Sequence, residues 1–289
     1  MSGKVKTGYI QMGCSSDKAE NIRRVSEQIA FLAAKGAQII CLQELFSTLY
    51  FCNSEDHANF SLAETIPGES TIHFTDLAKQ HQVVLILSLF EERAKGLYHN
   101  TAAVIDANGT FLGIYRKSHI PDDPGFFEKF YFTPGDTGYK VFKTKYATIG
   151  ILICWDQWYP EAARITSLMG AEIIFYPTAI GWDVNEIEDT INTEQLQAWK
   201  TIQQAHAIAN GIHMVAVNRV GMENGTNFWG NSFVCNPFGT ILYESPNDKD
   251  DFPLIELDLN LTEYYRTTWP FLRDRRIDNY GPILNRFNN

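Results

Sequence analysis

Apolar residues recur along this chain with two periods, and the alternation between them predicts a layered α/β fold. Ile22, Val25, Ile29 and Leu32 step by three and four residues, one face of an amphipathic helix. Ser15 or Ser16 is placed to cap its start and Gly36 to end it. Residues 7–12, 37–42 and 83–89 read as strands, with a helix over 71–80 leading into the third. Asn108 followed by Gly109, between strands at 101–106 and 110–115, is a strong hairpin signal. The second half repeats the alternation. Strands are predicted at 149–153, 172–176, 213–218, 231–235 and 240–244, and helices at 159–169 and 193–209, the latter closed by Gly211. Strand–helix–strand units mixed with hairpins argue for large sheets covered by helices on their outer faces.

No Pro/Ser/Gly-rich tract or like-charge block divides the chain, so residues 1–289 read as a single domain. With 24 basic against 34 acidic residues, the formal charge is −10. That balance offers no electrostatic footprint for nucleic acid and favours cationic ligands. The longest apolar candidate, residues 83–90, is strand-sized, far short of the roughly 20 residues a membrane span needs. The first residues, Met-Ser-Gly-Lys-Val-Lys, lack the apolar region of a secretory signal. Five cysteines, widely spaced and without a CxxC pair, give neither a disulfide framework nor a zinc site. A reducing cytoplasm is the compartment this predicts. No P-loop, no GxGxxG and no histidine pair at metal spacing is present, so the expectation is no cofactor and no metal.

Three residues at ends of predicted strands stand out as carriers of chemistry. Cys154 closes an apolar run, and Pro160 marks a helix start just beyond it. At such a corner a helix dipole favours thiolate over thiol, and the next amide, that of Trp155, can donate to an oxyanion. An arbitrary cysteine is more often a small buried hydrophobe, as the other four are read here. Glu44 follows the apolar segment 39–42. It is either solvated at the sheet edge, the safer reading from this segment alone, or desolvated and suited to general-base work. Lys117 leaves the hairpin strand. A lone lysine there is usually exposed, but beside a thiolate and a carboxylate it would stay charged and stabilise an oxyanion.

Taken together, Gln43-Glu44-Leu45-Phe46, Tyr115-Arg116-Lys117-Ser118-His119 and Cys154-Trp155-Asp156 through Pro160-Glu161 resemble the nitrilase superfamily of carbon-nitrogen hydrolases. The motifs stand in the family's order, and the likeness extends over nearly the whole chain. It implies a four-layer αββα sandwich with Glu44 as base, Lys117 as oxyanion stabiliser and Cys154 as nucleophile. It also implies that a second glutamate, falling here on Glu128, lines the site. Residues 154–164, 175–181 and 268–276 with Tyr280 are similar to the N-carbamoylputrescine amidohydrolases within that family. The implied substrate is a small cationic ureido compound, with Asp183 meeting the amine and Trp155 and Trp182 walling the methylene stem. After Gly181 the plant members carry Ser-Glu-Pro where this chain has Trp182-Asp183-Val184, a shorter acidic side chain. The family also implies a homo-oligomer built from dimers, with the aromatic- and arginine-rich segment at about 260–289 at the interface.

Three rivals remain at this point. One is a Cys-His hydrolase using His119 or His206. Another is a relative acting on a different amide, nitrile or carbamoyl amino acid, which would call for an arginine aimed into the pocket. The third is a binding protein that keeps the fold without the chemistry.

Overall fold

The computed structural model describes residues 3–184 and 189–288. Two six-stranded sheets form its middle. The first orders its strands β15-β1-β2-β3-β4-β5, with β1 (Lys4–Ile10), β2 (Ile39–Leu42), β3 (Val84–Ala94), β4 (Leu97–Ile105), β5 (Phe111–Arg116) and β15 (Leu254–Asp258). The second runs β14-β13-β10-β8-β7-β6, with β6 (Val141–Lys143), β7 (Thr148–Ile151), β8 (Ile173–Pro177), β10 (His213–Val217), β13 (Phe233–Cys235) and β14 (Ile241–Glu244). A separate three-stranded sheet, in the order β11-β12-β9, is formed by β9 (Gly181–Asp183), β11 (Val220–Glu223) and β12 (Thr226–Trp229). The helices are α1 (Lys18–Ala34), α2 (Glu69–His81), α3 (Glu128–Tyr131), α4 (Pro160–Leu168), α5 (Asp189–Asn210) and α6 (Asn260–Thr268).

Strand alternation builds the layers. Along β2, Ile39 and Cys41 face the second sheet in one apolar cluster, while Ile40 and Leu42 join Val25, Ile29 and Leu32 of α1 and Phe74 of α2 in another. On the second sheet, Ala162 and Ala163 of α4 and Trp199 and Ala207 of α5 pack against the strands. Helix pair, sheet, sheet, helix pair is therefore the sandwich expected. No helix among the described residues is long and apolar enough to cross a membrane.

The cap of α1 differs from the sequence expectation. Asp17 accepts the amides of Ala19 and Glu20, while the Ser15 hydroxyl bonds the Asp17 amide and the Glu20 carboxylate. A carboxylate one step nearer the first turn displaces both serines as the cap. Asn108 and Gly109 do turn the β4–β5 hairpin, with Gly109 at φ 86°. Gly36, at φ 94°, follows the end of α1. The strand predicted at 231–235 shortens to Phe233–Cys235 because the Asn231 side chain bonds the Trp229 carbonyl and its backbone sits at φ 51°.

Candidate active site

The site assembles where strands of both sheets end. Glu44 lies just past β2, Lys117 just past β5 and Cys154 beyond β7, and the Glu44 amide donates to the Thr178 carbonyl beyond β8 at 3.4 Å. Two non-glycine residues there hold positive φ, Leu45 at 51° and Cys154 at 42°. Such conformations persist only where the surroundings impose them.

Lys117 is the hub. Its Nζ donates to Glu44 Oε1 at 2.8 Å and to Glu128 Oε2 at 2.6 Å, and the exposure of all three side chains is 1% or less. An ammonium has three hydrogens, so one remains for a further acceptor. Burial alone would lower the lysine pKa, but Glu128 and Glu44 outweigh it and hold the group charged, well above its ordinary range. Burial raises the Glu128 pKa to about 7; Lys117 opposes that rise and the Glu44 charge adds to it. Glu44 Oε1 also accepts Asn100 Nδ2 at 2.7 Å, and Glu128 Oε1 accepts the Tyr50 hydroxyl at 2.9 Å. Glu44 Oε2 is buried without a hydrogen-bond partner among the described residues.

Glu44 and Lys117 are thus neither solvated nor exposed, the readings their separate segments favoured. Each is buried because the other neutralises it. The thiolate expectation is also corrected. Cys154 opens a short 3₁₀ helix, Cys154–Trp158, with α4 following only at Pro160, and burial followed by the Glu44 charge pushes its thiol well above the usual range. A thiol pushed in that direction calls for a base when it reacts. The amide of Trp155, in the first turn of that helix, is among those without an intrahelical acceptor.

A cleft of about 680 Å³ opens over Cys154 and Glu128, lined also by Trp155, Trp182, Asp183 and Asp123 among others, with Glu44 and Lys117 buried behind its lining. Asp183 ends β9, whose register sets it opposite Thr226. No arginine, lysine or histidine is among the described residues that line this cleft. His206 is buried, with Nε2 at 2.9 Å from the Gln157 carbonyl, and His119 Nδ1 lies 2.7 Å from Asp156.

Several supporting residues were missed by the sequence reading. Asn100 and Tyr50 hold the two carboxylates. Arg219, fully buried, donates through Nη2 to the carbonyls of Glu44 and Leu45 and through Nη1 to Thr48 and Glu223, fastening the loop that carries the base. Asn218 bonds both the amide and the carbonyl of Ile180, fixing the strand end beside the cleft. A signal existed for this last pair: polar Asn218-Arg219 ends the apolar run 214–217 just as Gln43-Glu44 ends 39–42.

With this geometry in view, likeness to known proteins narrows the chemistry. A carbon-nitrogen hydrolase family model matches residues 6–267. An N-carbamoylputrescine amidase of Oryza sativa subsp. japonica is 47% identical over 291 residues, covering 97% of this chain and 95% of that protein. A citrullinase of Francisella tularensis is 38% identical over 288 residues, covering 98% and 99%. The crystal structure of a carbon-nitrogen hydrolase from Helicobacter pylori G27 superposes with a TM-score of 0.95 at 45% identity, covering 99% of this chain and all of the other.

Proposed function

This chain belongs to the carbon-nitrogen hydrolase family, the nitrilase superfamily, and from that premise we propose that it hydrolyses N-carbamoylputrescine to putrescine, carbon dioxide and ammonia. The observation that carries the substrate choice is the charge of the cleft. Asp183 and Asp123 line it, and no cationic side chain does so among the described residues. A ureido compound ending in an ammonium gains from those carboxylates; the carboxylate at the far end of citrulline meets no arginine or lysine among the described residues that line the cleft.

In the proposed reaction Glu44, through its unpartnered Oε2, takes the thiol proton as Cys154 Sγ bonds to the ureido carbon. The carbonyl electrons move onto oxygen, which the third N–H of Lys117 and the Trp155 amide stabilise. Glu44 returns the proton to the terminal nitrogen and ammonia leaves. Water, deprotonated by the same carboxylate, then attacks the S-alkylthiocarbamate, the C–S bond breaks and Glu44 returns the proton to the Cys154 sulfur, and the freed carbamic acid decomposes to carbon dioxide and the amine. Glu128 holds Lys117 from the other side. Trp155 and Trp182 wall the methylene stem and Asp183 meets the amine.

The same reading takes residues 1–289 as one catalytic domain acting in the cytoplasm, where its five free cysteines stay reduced. It assembles as a homo-oligomer built from dimers through about residues 260–289, where Trp269, Ile277, Leu284 and Phe287 stand exposed. Light scattering at micromolar concentration tests this, and a monomer refutes it.

The test of substrate class is ammonia release from N-carbamoylputrescine, neutral butylurea and citrulline, with wild type and Asp183→Asn. The cationic compound should be strongly preferred. The variant should lose about 1–3 kcal/mol in kcat/KM on it, the scale of a charged hydrogen bond, and far less on butylurea. Equal losses on both compounds refute the amine contact, and a preference for citrulline refutes the substrate.

A further inference from the structure

One fully buried carboxylate beside the nucleophile has no part in the reaction just described. Asp156, two residues after Cys154, is 0% exposed and accepts four hydrogen bonds. Its Oδ2 takes the Tyr115 hydroxyl at 2.7 Å and the Ile153 amide at 2.9 Å. Its Oδ1 takes the His119 amide at 3.0 Å and lies 2.7 Å from His119 Nδ1. A carboxylate only accepts, so the imidazole donates through Nδ1. The His119 ring also stacks on Tyr159, centroids 3.6 Å apart and planes 6° from parallel, which fixes its orientation from the other side.

The donors have a telling order in the chain. Tyr115 stands two residues before Lys117 and His119 two residues after it, while Ile153 immediately precedes Cys154. Both flanks of the lysine therefore converge on the carboxylate that also grips the entry to the cysteine turn. Cys154 keeps its φ of 42° inside that turn, a conformation that needs outside support. The lysine and cysteine segments come from different sheets, β5 in the first and β7 in the second, so sheet geometry alone does not set their separation.

We propose that Asp156 and His119 are positioning residues that staple the Lys117 strand end to the Cys154 turn and thereby set the ammonium against the reacting carbon. The inference rests on the reading that Cys154 and Lys117 carry the chemistry. It also gives His119 a task other than that of base. With Nδ1 committed to Asp156, what the staple needs from residue 119 is a donor at that position. Asparagine places its amide nitrogen near the site of Nδ1, whereas alanine leaves Oδ1 with the backbone amide alone.

The experiment measures kcat and KM for ammonia release from N-carbamoylputrescine by wild type, His119→Ala, His119→Asn and Cys154→Ser, with melting curves for each. His119 is the residue to change because its side chain is 28% exposed and its loss leaves no cavity in the core. His119→Ala should keep KM within about twofold and lose roughly a hundredfold in kcat, the scale of an ångström's misplacement. His119→Asn should recover most of that loss. A wild-type kcat in His119→Ala, a loss confined to KM, or His119→Asn as slow as His119→Ala overturns the staple. If Cys154→Ser turns over normally, the underlying catalytic reading fails instead, whatever the histidine variants do.

Discussion

Replacing Glu128 with glutamine should make the protein more stable as pH rises, although it alters a group at the centre of the site. Burial raises this carboxyl from an ordinary 4.5 to about 7 in the fold. The folded state therefore holds more protons than the unfolded chain across that window. The stability tied to the group is fully present below 4.5, declines as pH rises toward 7 and levels off above it. At about 1.4 kcal/mol per pH unit the whole span is about 3 kcal/mol, of which about 2 kcal/mol falls between about pH 5.5 and pH 8.5. Glu128→Gln has no proton to lose there. Its amide oxygen still accepts from Lys117, and its amide nitrogen can face the Tyr50 oxygen, the partners the carboxylate has now. Urea unfolding of both proteins at matched concentration over that pH range measures the difference. The stability of the variant relative to wild type should climb with pH by about 2 kcal/mol, an instance of a site held at some cost to the fold. A difference independent of pH would refute the raised carboxyl.

Two further outcomes follow from the neighbouring groups. Arg219→Met removes the cation that neutralises buried Glu223 and releases the Glu44 and Leu45 carbonyls, so it should lower unfolding stability by about 3–5 kcal/mol; a loss under about 1 kcal/mol would show that the clamp is dispensable. His206→Asn should keep kcat within about tenfold, because the imidazole bonds the Gln157 carbonyl and does not line the cleft; a fall of general-base size, a hundredfold or more, would favour a Cys-His mechanism.

The layers were legible because their signal is periodic. The α1 stripe is read from spacing and the strand over 37–42 from its apolar run; the stripe lies where the spacing puts it, and the strand covers Ile39–Leu42 within the predicted range. The short strands β9, β11 and β12 were not legible. They have three or four residues each, mix polar with apolar positions and take their pairing from one another. The residues of the site were legible as places where apolar runs break, and three such breaks in order pointed to one family. Their states were not. Whether Glu44 is solvated or Lys117 exposed depends on their pairing across 73 positions, which no local window spans; Glu128, only 11 positions from Lys117, is closer in sequence, but nothing in that stretch shows the two side chains meeting. Asn100, Tyr50 and Asp156 escaped for the same reason, since each is an ordinary polar residue until the fold brings its partner within hydrogen-bond reach.

Covalent chemistry at Cys154 is the claim on which the rest depends, and quenched-flow mass spectrometry of the enzyme turning over N-carbamoylputrescine tests it directly. The account predicts a transient adduct on the Cys154 peptide equal in mass to the substrate less ammonia, with ammonia released before putrescine, and neither an adduct nor turnover in Cys154→Ser. Turnover with no adduct on that peptide, together with an active Cys154→Ser, would contradict it.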